Sequence, residues 1–532
     1  MSFTFAVVAD THIHPPDDAR QSGWPSDAEH NDRSRRVVAL LDRLQPDFVV
    51  HLGDVPHPVP GLAAHEVAMS TAQAIWSELR CPLHVVPGNH DVGDKPHPTA
   101  PAPRTDPALH DRFTERWGPP WQSFTHRDVR FVFLDTPILG TGSEPELEQR
   151  AWLEDELAKP HRRFVFMHYP PFLCDPDEAE HYDNLGEPQR TWLVSLLRHA
   201  HVEAGFFGHV HHFFWNRVGG VELYGLPATS FVRPGYAELC RVPPSDKEFG
   251  RNEVHKLGLA LVHVDERGHR FEPLDLPDVE GSSRAVQVPF GLTLRHSWAA
   301  PRELPADNID PFARKQARND LWLWRAWQLG ANTFRVPVGD LLLHRERMAQ
   351  LAERGHRWVV IVPGAPTNAT WRLLSEHRWM LAAAEIVLPR GTDAPVPELE
   401  LPPLWWSVVG QKRPDDSVYF SHFPQPGYRP DDTDAPEGAV FLVRDAQELA
   451  AVARRATACV LPLPRADESA TYDDDEALAR LIAEVAAVAG RHPDLPVFLD
   501  ALIDHDRGYH TRIGLLDRLY RWRRAGLVLR EP

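Results

Sequence analysis

The sequence predicts an α/β protein of two domains. A layered sheet-and-helix domain covers residues 1–280, and a second α/β domain over residues 285–532 has the element count of a (β/α)8 barrel. Three observations lead there. A chain of 532 residues exceeds what one ordinary hydrophobic core serves. Continuous Val, Phe and Leu runs alternate with helix-spaced apolar positions, the pattern of strands buried on both faces and flanked by helices. In the first half these runs end again and again in Asp, Asn or His beside Gly, and that habit stops near Asp278–Ser283.

The elements follow in order. Residues 3–9 form an apolar strand ending in Asp10-Thr11-His12-Ile13-His14, and Val37, Leu40, Leu41 and Leu44 set a helix over Ser34–Leu44. Phe48–Leu52 is the second strand, closed by Gly53-Asp54; residues 63–80 are helical. The third strand, Leu83–Val86, breaks at Pro87-Gly88 and offers Asn89, His90 and Asp91. The Pro-, His- and Asp-rich stretch 93–120 is too long for a connection and reads as a substrate-lining insertion. Strands resume at Val129–Leu134 and Phe164–Met167, the latter ending in His168, with helices at about 146–158 and 187–199. Ala204–Phe207 ends in Gly208-His209-Val210-His211-His212, and two further strands fall near Val221–Leu226 and Leu257–Val264.

Past the boundary, candidate strands are Thr333–Val338, Trp358–Val362, Glu385–Leu388, Trp406–Val409, Val418–Phe423, Val440–Val443, Cys459–Leu463, Val497–Ala501 and Leu527–Leu529. Helical patterns at 312–329, 345–354, 445–456 and 475–490 lie between them. Eight or nine such units in some 250 residues is barrel-sized; a doubly wound sheet is the runner-up. Trp322, Trp324 and Trp327 fall on a helix and read as packing. The acidic run Asp473–Glu476 matches a helix N-terminus. Asp340, Arg335, Asp500, Asp504, His505, Asp506 and His510 lie at strand ends, but no motif disciplines their spacing, so they read as loop charges.

Composition narrows the function. A hydrophobic share of 42% with 25% charged residues is that of soluble globular protein. Cys81, Cys174, Cys240 and Cys459 form no CxxC pair, which argues for thiols in a reducing compartment rather than a disulfide frame or zinc knuckle. No apolar run approaches the roughly 20 residues that span a bilayer, and no basic segment precedes the strand at Phe3. A cytoplasmic enzyme with no membrane partner is expected. A net charge of −18 would repel a polynucleotide, so nucleic acid is disfavoured. Thirty histidines, many at strand ends, point to metal chemistry.

Asp10, His12, Asp54, Asn89, His90, Asp91, His168, His209 and His211 all sit at first-half strand ends. Oxygen and imidazole donors without thiolate suit divalent cations from Mg and Mn to Fe, Co and Zn. Two such ions can clamp the attacking and leaving oxygens of a displacement at phosphorus. Taken singly, His168 could be a satisfied core histidine and Gly53-Asp54 a plain turn; four or more strand ends of this kind leave that reading little room.

Asp-x-His, Gly-Asp, Gly-Asn-His-Asp, a lone His and Gly-His-x-His, in this order, resemble the signature of calcineurin-like metallophosphoesterases, with spacing like the class III cyclic-nucleotide phosphodiesterase and glycerophosphodiesterase branch. The resemblance covers residues 3–270. It implies a four-layer αββα sandwich and two divalent metal ions. Asp10, His12 and His211 would hold the first ion, Asn89, His168 and His209 the second, with Asp54 bridging. His90 would face the phosphoryl group and Asp91 would orient it. His14, His51, His57, His84 and His212 match no ligand position and are supporting or substrate-side candidates; His57, three residues past Asp54, is the substrate-binding one among them.

The function expected is hydrolysis of a small phosphodiester by in-line attack of a metal-bridging hydroxide. The alternatives are a phosphomonoesterase on a small metabolite or phosphoprotein and, from another class, a phospho-ligand sensor or scaffold with little turnover. The expected partner is a small phosphorylated substrate. The second half reads as a barrel serving substrate restriction or oligomerisation, which makes a homo-oligomer an expectation.

Overall fold

The computed structural model describes residues 2–16, 22–240, 242–244, 248–276, 288–306, 312–410, 425–463, 475–503 and 514–530. The chain divides into two compact units, residues 1–282 with 301–324 and residues 283–300 with 325–532. The sequence places all of 285–532 beyond one boundary; here the segment 301–324 returns to the first unit.

In the first unit the chain runs through β1 (Phe3–Val8), α1 (His30–Leu44), β2 (Phe48–His51), α2 (Ala64–Trp76), β3 (Leu83–Val85), α3 (Asn89–Val92), α4 (Pro107–Trp117), β4 (Gln122–His126), β5 (Val129–Phe133), α5 (Glu144–Ala158) and β6 (Arg162–Met167). It continues through α6 (Gln189–His199), β7 (Ala204–Phe207), β8 (Phe214–Val218), β9 (Val221–Gly225), β10 (Gly258–Val264) and β11 (His269–Asp275). These strands make two sheets, ordered β11-β10-β1-β2-β3 and β4-β5-β6-β7-β9-β8. The period-2 alternation of a strand decides which residues meet. Phe5 of β1 turns to the other sheet, and its ring meets Phe131, Phe164, Phe166 and Phe206 edge-on at centroid distances of 5.4, 5.5, 5.9 and 6.0 Å. Its neighbours Ala6 and Val8 turn the other way and pack with Val37, Leu40 and Leu41 of α1. On the far side of the second sheet, Val132 and Val165 pack with Leu153 and Leu157 of α5 and Leu193 and Leu197 of α6. The layers are therefore αββα.

Parallel pairing of β1 with β2 and β2 with β3, and of β5, β6, β7 and β9 in turn, sends their carboxyl ends the same way within each sheet. This aims the loops after β1, β2, β3, β6 and β7 at one edge. An antiparallel hairpin, Arg302–Pro305 with Arg314–Ala317, completes the unit, and Leu304 and Ala317 join the core that holds Tyr236 and Leu239.

The second unit is built on an eight-stranded sheet, in the order Leu404–Val408, Leu381–Leu388, Arg357–Pro363, Thr333–Pro337, Phe290–Thr293, Val497–Asp500, Ala458–Pro462 and Val440–Leu442. Every paired neighbour is parallel. The first and last strands approach each other, where Trp406 N–H donates to the Gly438 carbonyl at 2.9 Å. The sheet is a nearly closed barrel. Register puts Arg335, Val359, Ala383, Glu385 and Trp405 on one face, which is the face of a core cluster shared by Val440, Val460 and Phe498.

Several elements differ from those the sequence predicts. Leu527–Leu529 is not a strand: Arg524–Val528 is helical. The helix expected over 312–329 is a strand at Arg314–Ala317 followed by a helix at Leu321–Gln328. The insertion 93–120 contains α4, whose first turn is capped by Asp106 Oδ1 accepting from the N–H groups of Ala108 and Leu109. Strands β4, β8, β11 and Phe290–Thr293 carry no long apolar run. Val418–Phe423, Asp473, Asp474, Asp504, His505, Asp506 and His510 lie outside the described residues. Among those described, no helix is long and apolar enough to cross a membrane.

Candidate metal centre

Five strand ends of the first unit supply the site: Asp10 and His12 after β1, Asp54 after β2, Asn89 after β3, His168 after β6, and His209 and His211 after β7. All seven are buried. Asp10, His12, Asp54, His209 and His211 adopt positive φ, from 44° to 68°. Left-handed backbone at non-glycine residues is costly, and its concentration here marks a site held in shape by its surroundings. Two glycines let the loops close. A Cβ on Gly53 would stand 2.6 Å from Gly88 N, and one on Gly88 would stand 2.4 Å from Asp54 N, so neither position admits a side chain.

The donor atoms fall into two groups that share one carboxylate. Asp10, His12, Asp54 and His211 bring one ligand atom each within 4.8 Å of one another, and Asp54, His168 and His209 do the same. In the first group His12 Nε2 lies 3.1 Å from His211 Nε2 and 3.7 Å from Asp54 Oδ2, and His211 Nε2 lies 3.4 Å from Asp10 Oδ1. In the second, His168 Nε2 is 3.4 Å from Asp54 Oδ1, and Asn89 Oδ1 lies 3.0 Å from His168 Nε2 and 3.2 Å from His209 Nδ1.

Two of the remaining nitrogens are paired. His168 Nδ1 pairs with the Leu52 carbonyl at 2.8 Å and His211 Nδ1 with the Phe231 carbonyl at 2.9 Å, which leaves both Nε2 atoms to face the centre. Asn89 Nδ2 donates to Tyr182 Oη at 3.3 Å, and Tyr182 donates to Asp94 Oδ1 at 3.2 Å, so the amide turns its oxygen inward. Behind His209, Nε2 lies 3.6 Å from Asp183. Asp183 accepts in turn from Tyr236 Oη at 2.5 Å and from Arg233 and Lys315, the latter on the returning hairpin.

Charge follows from this packing. Burial alone would raise Asp54 and lower His168; their attraction outweighs it, holding the carboxylate well below its usual range and the imidazole up at about 9. Burial pushes His12 and His209 down, so both rings are neutral, the protonation state a metal ligand needs. Burial would raise Asp183, but Arg233 and Lys315 keep it ionised. Buried imidazole nitrogens converging on carboxylates suit divalent cations, and a carboxylate common to two groups suits two of them.

His90 is half-buried at the start of α3. Its N–H donates to Asp54 Oδ1 at 2.8 Å, and Nδ1 donates to the His57 carbonyl, so Nε2 is the nitrogen left to act on a ligand. Its ring stands 4.6 Å from that of His12. Asp91 does not touch the His90 ring, contrary to the role expected of it. It accepts from the N–H groups of Asp54 and Gly88 at 2.8 Å and Val55 at 3.3 Å, locking the Asp54 and Asn89 loops together. His57 contributes its carbonyl to His90, while its ring stacks on His14 at 4.2 Å, beside His30. His51 Nε2 pairs with Thr11 Oγ1 at 3.0 Å, His84 stacks on Phe124 at 4.2 Å and His212 on Tyr236 at 5.8 Å; these three serve packing and loop shape. Asp94, Tyr182, Asp183, Arg233 and Lys315 carry no strand-end motif, and only their contacts single them out.

Residues 3–213 match the calcineurin-like phosphoesterase family. The chain is similar to the serine/threonine-protein phosphatase CPPED1 of Danio rerio, 33% identical over 34% of this chain and 59% of that protein's length. Its similarity to the CPPED1 of Homo sapiens is 31% over 46% of this chain and 73% of the other. The glycerophosphodiester phosphodiesterase GpdQ of Enterobacter lignolyticus is 26% identical over 42% of this chain and 76% of that protein. The αββα layers, the two donor groups joined at Asp54 and these alignments agree, and the chain belongs to the calcineurin-like phosphoesterase family.

Proposed function

We propose that this metal-dependent phosphoesterase hydrolyses a phosphomonoester at the centre joined by Asp54. The observation that carries the hydrolase reading is the sharing of Asp54 between two groups of buried donors, with His90 beside them at the half-exposed side. Two divalent cations bound there would supply Lewis-acid stabilisation of charge on the phosphoryl oxygens. Asp10, His12, Asp54 and His211 would hold one, and Asn89, His168 and His209, with Asp54, the other.

The chain's own groups do the rest. His90, with Nδ1 committed to the His57 carbonyl, presents Nε2 to the leaving oxygen and delivers a proton to it. Asp91 keeps the two loops in register, and Asp183 and Tyr182 orient His209 and Asn89. The relatives at higher identity are named phosphatases, which favours the monoester. A small phosphodiester is the second reading, favoured by the likeness to GpdQ.

The test is turnover of p-nitrophenyl phosphate against bis(p-nitrophenyl) phosphate, using chelator-stripped protein reloaded with Mn, Fe, Co, Zn or Mg. Metal-dependent turnover that is faster on the monoester supports the first reading and faster on the diester the second. No turnover with two ions bound would overturn both.

A further inference from the structure

Beside the metal centre lies a second cluster of metal-binding type. His14, His30 and His57 bring one ring nitrogen each within 4.8 Å of one another. Asp27, on the single turn Pro25–Glu29, faces all three: His30 Nε2 lies 3.3 Å from its Oδ1, and His14 Nε2 and His57 Nε2 each lie 3.8 Å from its Oδ2. Asp27 and His30 are fully buried, His14 nearly so, and His57 is 27% exposed at its side chain.

The backbone places this set as firmly as the first. His57 N–H donates to the Ile13 carbonyl at 2.8 Å, tying the loop after β2 to that after β1. Asn31 accepts from His14 N–H at 2.8 Å and donates to the His14 carbonyl at 2.9 Å, which fixes the same loop to α1. His30 Nδ1 lies 3.1 Å from the His12 carbonyl, an acceptor, so Nδ1 carries the proton and Nε2 is left with its lone pair. That lone pair is buried, makes no hydrogen bond and is aimed at a carboxylate 3.3 Å away. Two acceptors facing each other out of water repel unless something positive lies between them.

We infer that His14, His30, His57 and Asp27 form a third divalent-cation site, separate from the two groups that share Asp54. Imidazole nitrogen and carboxylate oxygen are both zinc donors, and the three clustered rings with Asp27 beside them offer four such residues. Bonds of about 2.0–2.1 Å in tetrahedral array put ligand atoms about 3.3 Å apart, the spacing already present between His30 and Asp27. Arg251 and Ser22 complete the surroundings. Arg251 Nη2 donates to Asp27 Oδ1 at 2.5 Å and Nε at 3.2 Å, and Ser22 Oγ donates to Oδ2 at 2.5 Å, so the carboxylate is oriented and kept ionised. The cation ties α1 to the loops after β1 and β2. Through the His57 carbonyl it also steadies His90. The site rests on its own ligands and stands or falls apart from the phosphoesterase reading.

The experiment titrates the chelator-stripped full chain with Co(II) and with Zn(II), reading bound metal per chain and the cobalt visible spectrum. The wild type should bind three equivalents. Asp54→Asn combined with His12→Gln and His168→Gln should retain one, with the intense bands of tetrahedral cobalt. Adding His57→Ala, at the most exposed of the four ligands, should weaken that retained ion by more than about 100-fold and remove those bands. His57→Ala alone should leave two equivalents. Wild-type protein that saturates at two ions, or a third ion unaffected by His57→Ala and by His30→Gln, would overturn the site and leave a proton as the occupant of the cluster. Loss of turnover with three ions bound would tell against the proposed reaction and leave this site standing.

Discussion

The carboxylate of Asp183 stands 3.6 Å from Nε2 of His209, while Nδ1 of the same ring faces Asn89 Oδ1 at 3.2 Å. One nitrogen is thus turned to the centre and the other to a buried acid, the arrangement that raises the basicity of a ligating imidazole. Asp183→Asn should lower affinity at the Asn89–His168–His209 position by about 10–100-fold. Activity would fall at limiting metal and return in part at excess. Asp183→Ala should cost more, since it removes the buried acid to which Arg233, Lys315 and Tyr236 all donate, a loss of about 3–5 kcal/mol. Metal titration followed by activity, alongside urea unfolding, checks both.

His90→Ala should leave two metal ions at the centre and reduce kcat by about 10²–10⁴-fold, the range of a general acid. The loss should shrink for p-nitrophenol esters, whose leaving group needs no proton, and be largest for alkyl esters. An equal loss for both leaving groups would deny His90 the protonating role.

The close approach of Gly88 and Asp54 gives a steric test. A Cβ on Gly88 would lie 2.4 Å from both Asp54 N and Asp54 Oδ1. Gly88→Ala should force the loops apart, costing about 1–3 kcal/mol and weakening metal binding at both positions, because Asp54 belongs to both. Differential scanning calorimetry with and without added metal reads the two effects.

The layered domain, the barrel-like sheet and the strand-end motifs are legible because each is local. A run such as Val129–Phe133 announces a buried strand, and Gly88-Asn89-His90-Asp91 announces its loop. Strand β4 is not legible, since Gln122-Ser123-Phe124-Thr125-His126 is half-exposed and gains its order from pairing with β5. The orienting residues were hidden for a different reason. Lys315 is 132 residues from Asp183, and no spacing rule joins them. The His14–His30–His57–Asp27 cluster depends on α1 folding back beside two loops, which periodicity does not reveal.

Acid stability should depend on two carboxylates far from the centre. Burial would raise Glu203, but hydrogen bonds from Arg162 and His269 bring it down to about 2. Glu272 reaches about 2 in the same way, through His263 and Arg270. A carboxyl depressed below its ordinary 4.5 stabilises the fold at pH above that value, and the contribution fades as pH falls toward 2. Unfolding free energy of the first unit should therefore drop between about pH 4.5 and 2, by on the order of 2 kcal/mol for each group after allowance for solvent screening. Glu203→Gln should flatten its share of that slope, as urea titrations at stepped pH would record.

The barrel offers the last test. Arg335 Nε and Nη2 donate to the two oxygens of Glu385 at 2.6 and 2.7 Å, and both side chains are essentially without solvent contact. Register puts them on the face of the barrel core, among Val359, Ala383 and Trp405. A bidentate pair there offsets its own desolvation but strands either partner if the other is lost. Arg335→Met or Glu385→Gln alone should destabilise the second unit by about 3–5 kcal/mol, whereas Arg335→Met with Glu385→Leu should recover most of that loss. Guanidinium unfolding of the three variants decides the matter. Recovery in the double variant means that the pair is a specificity device rather than a source of stability. A double variant as unstable as the singles would mean that the barrel needs the charges themselves in the middle of these two strands.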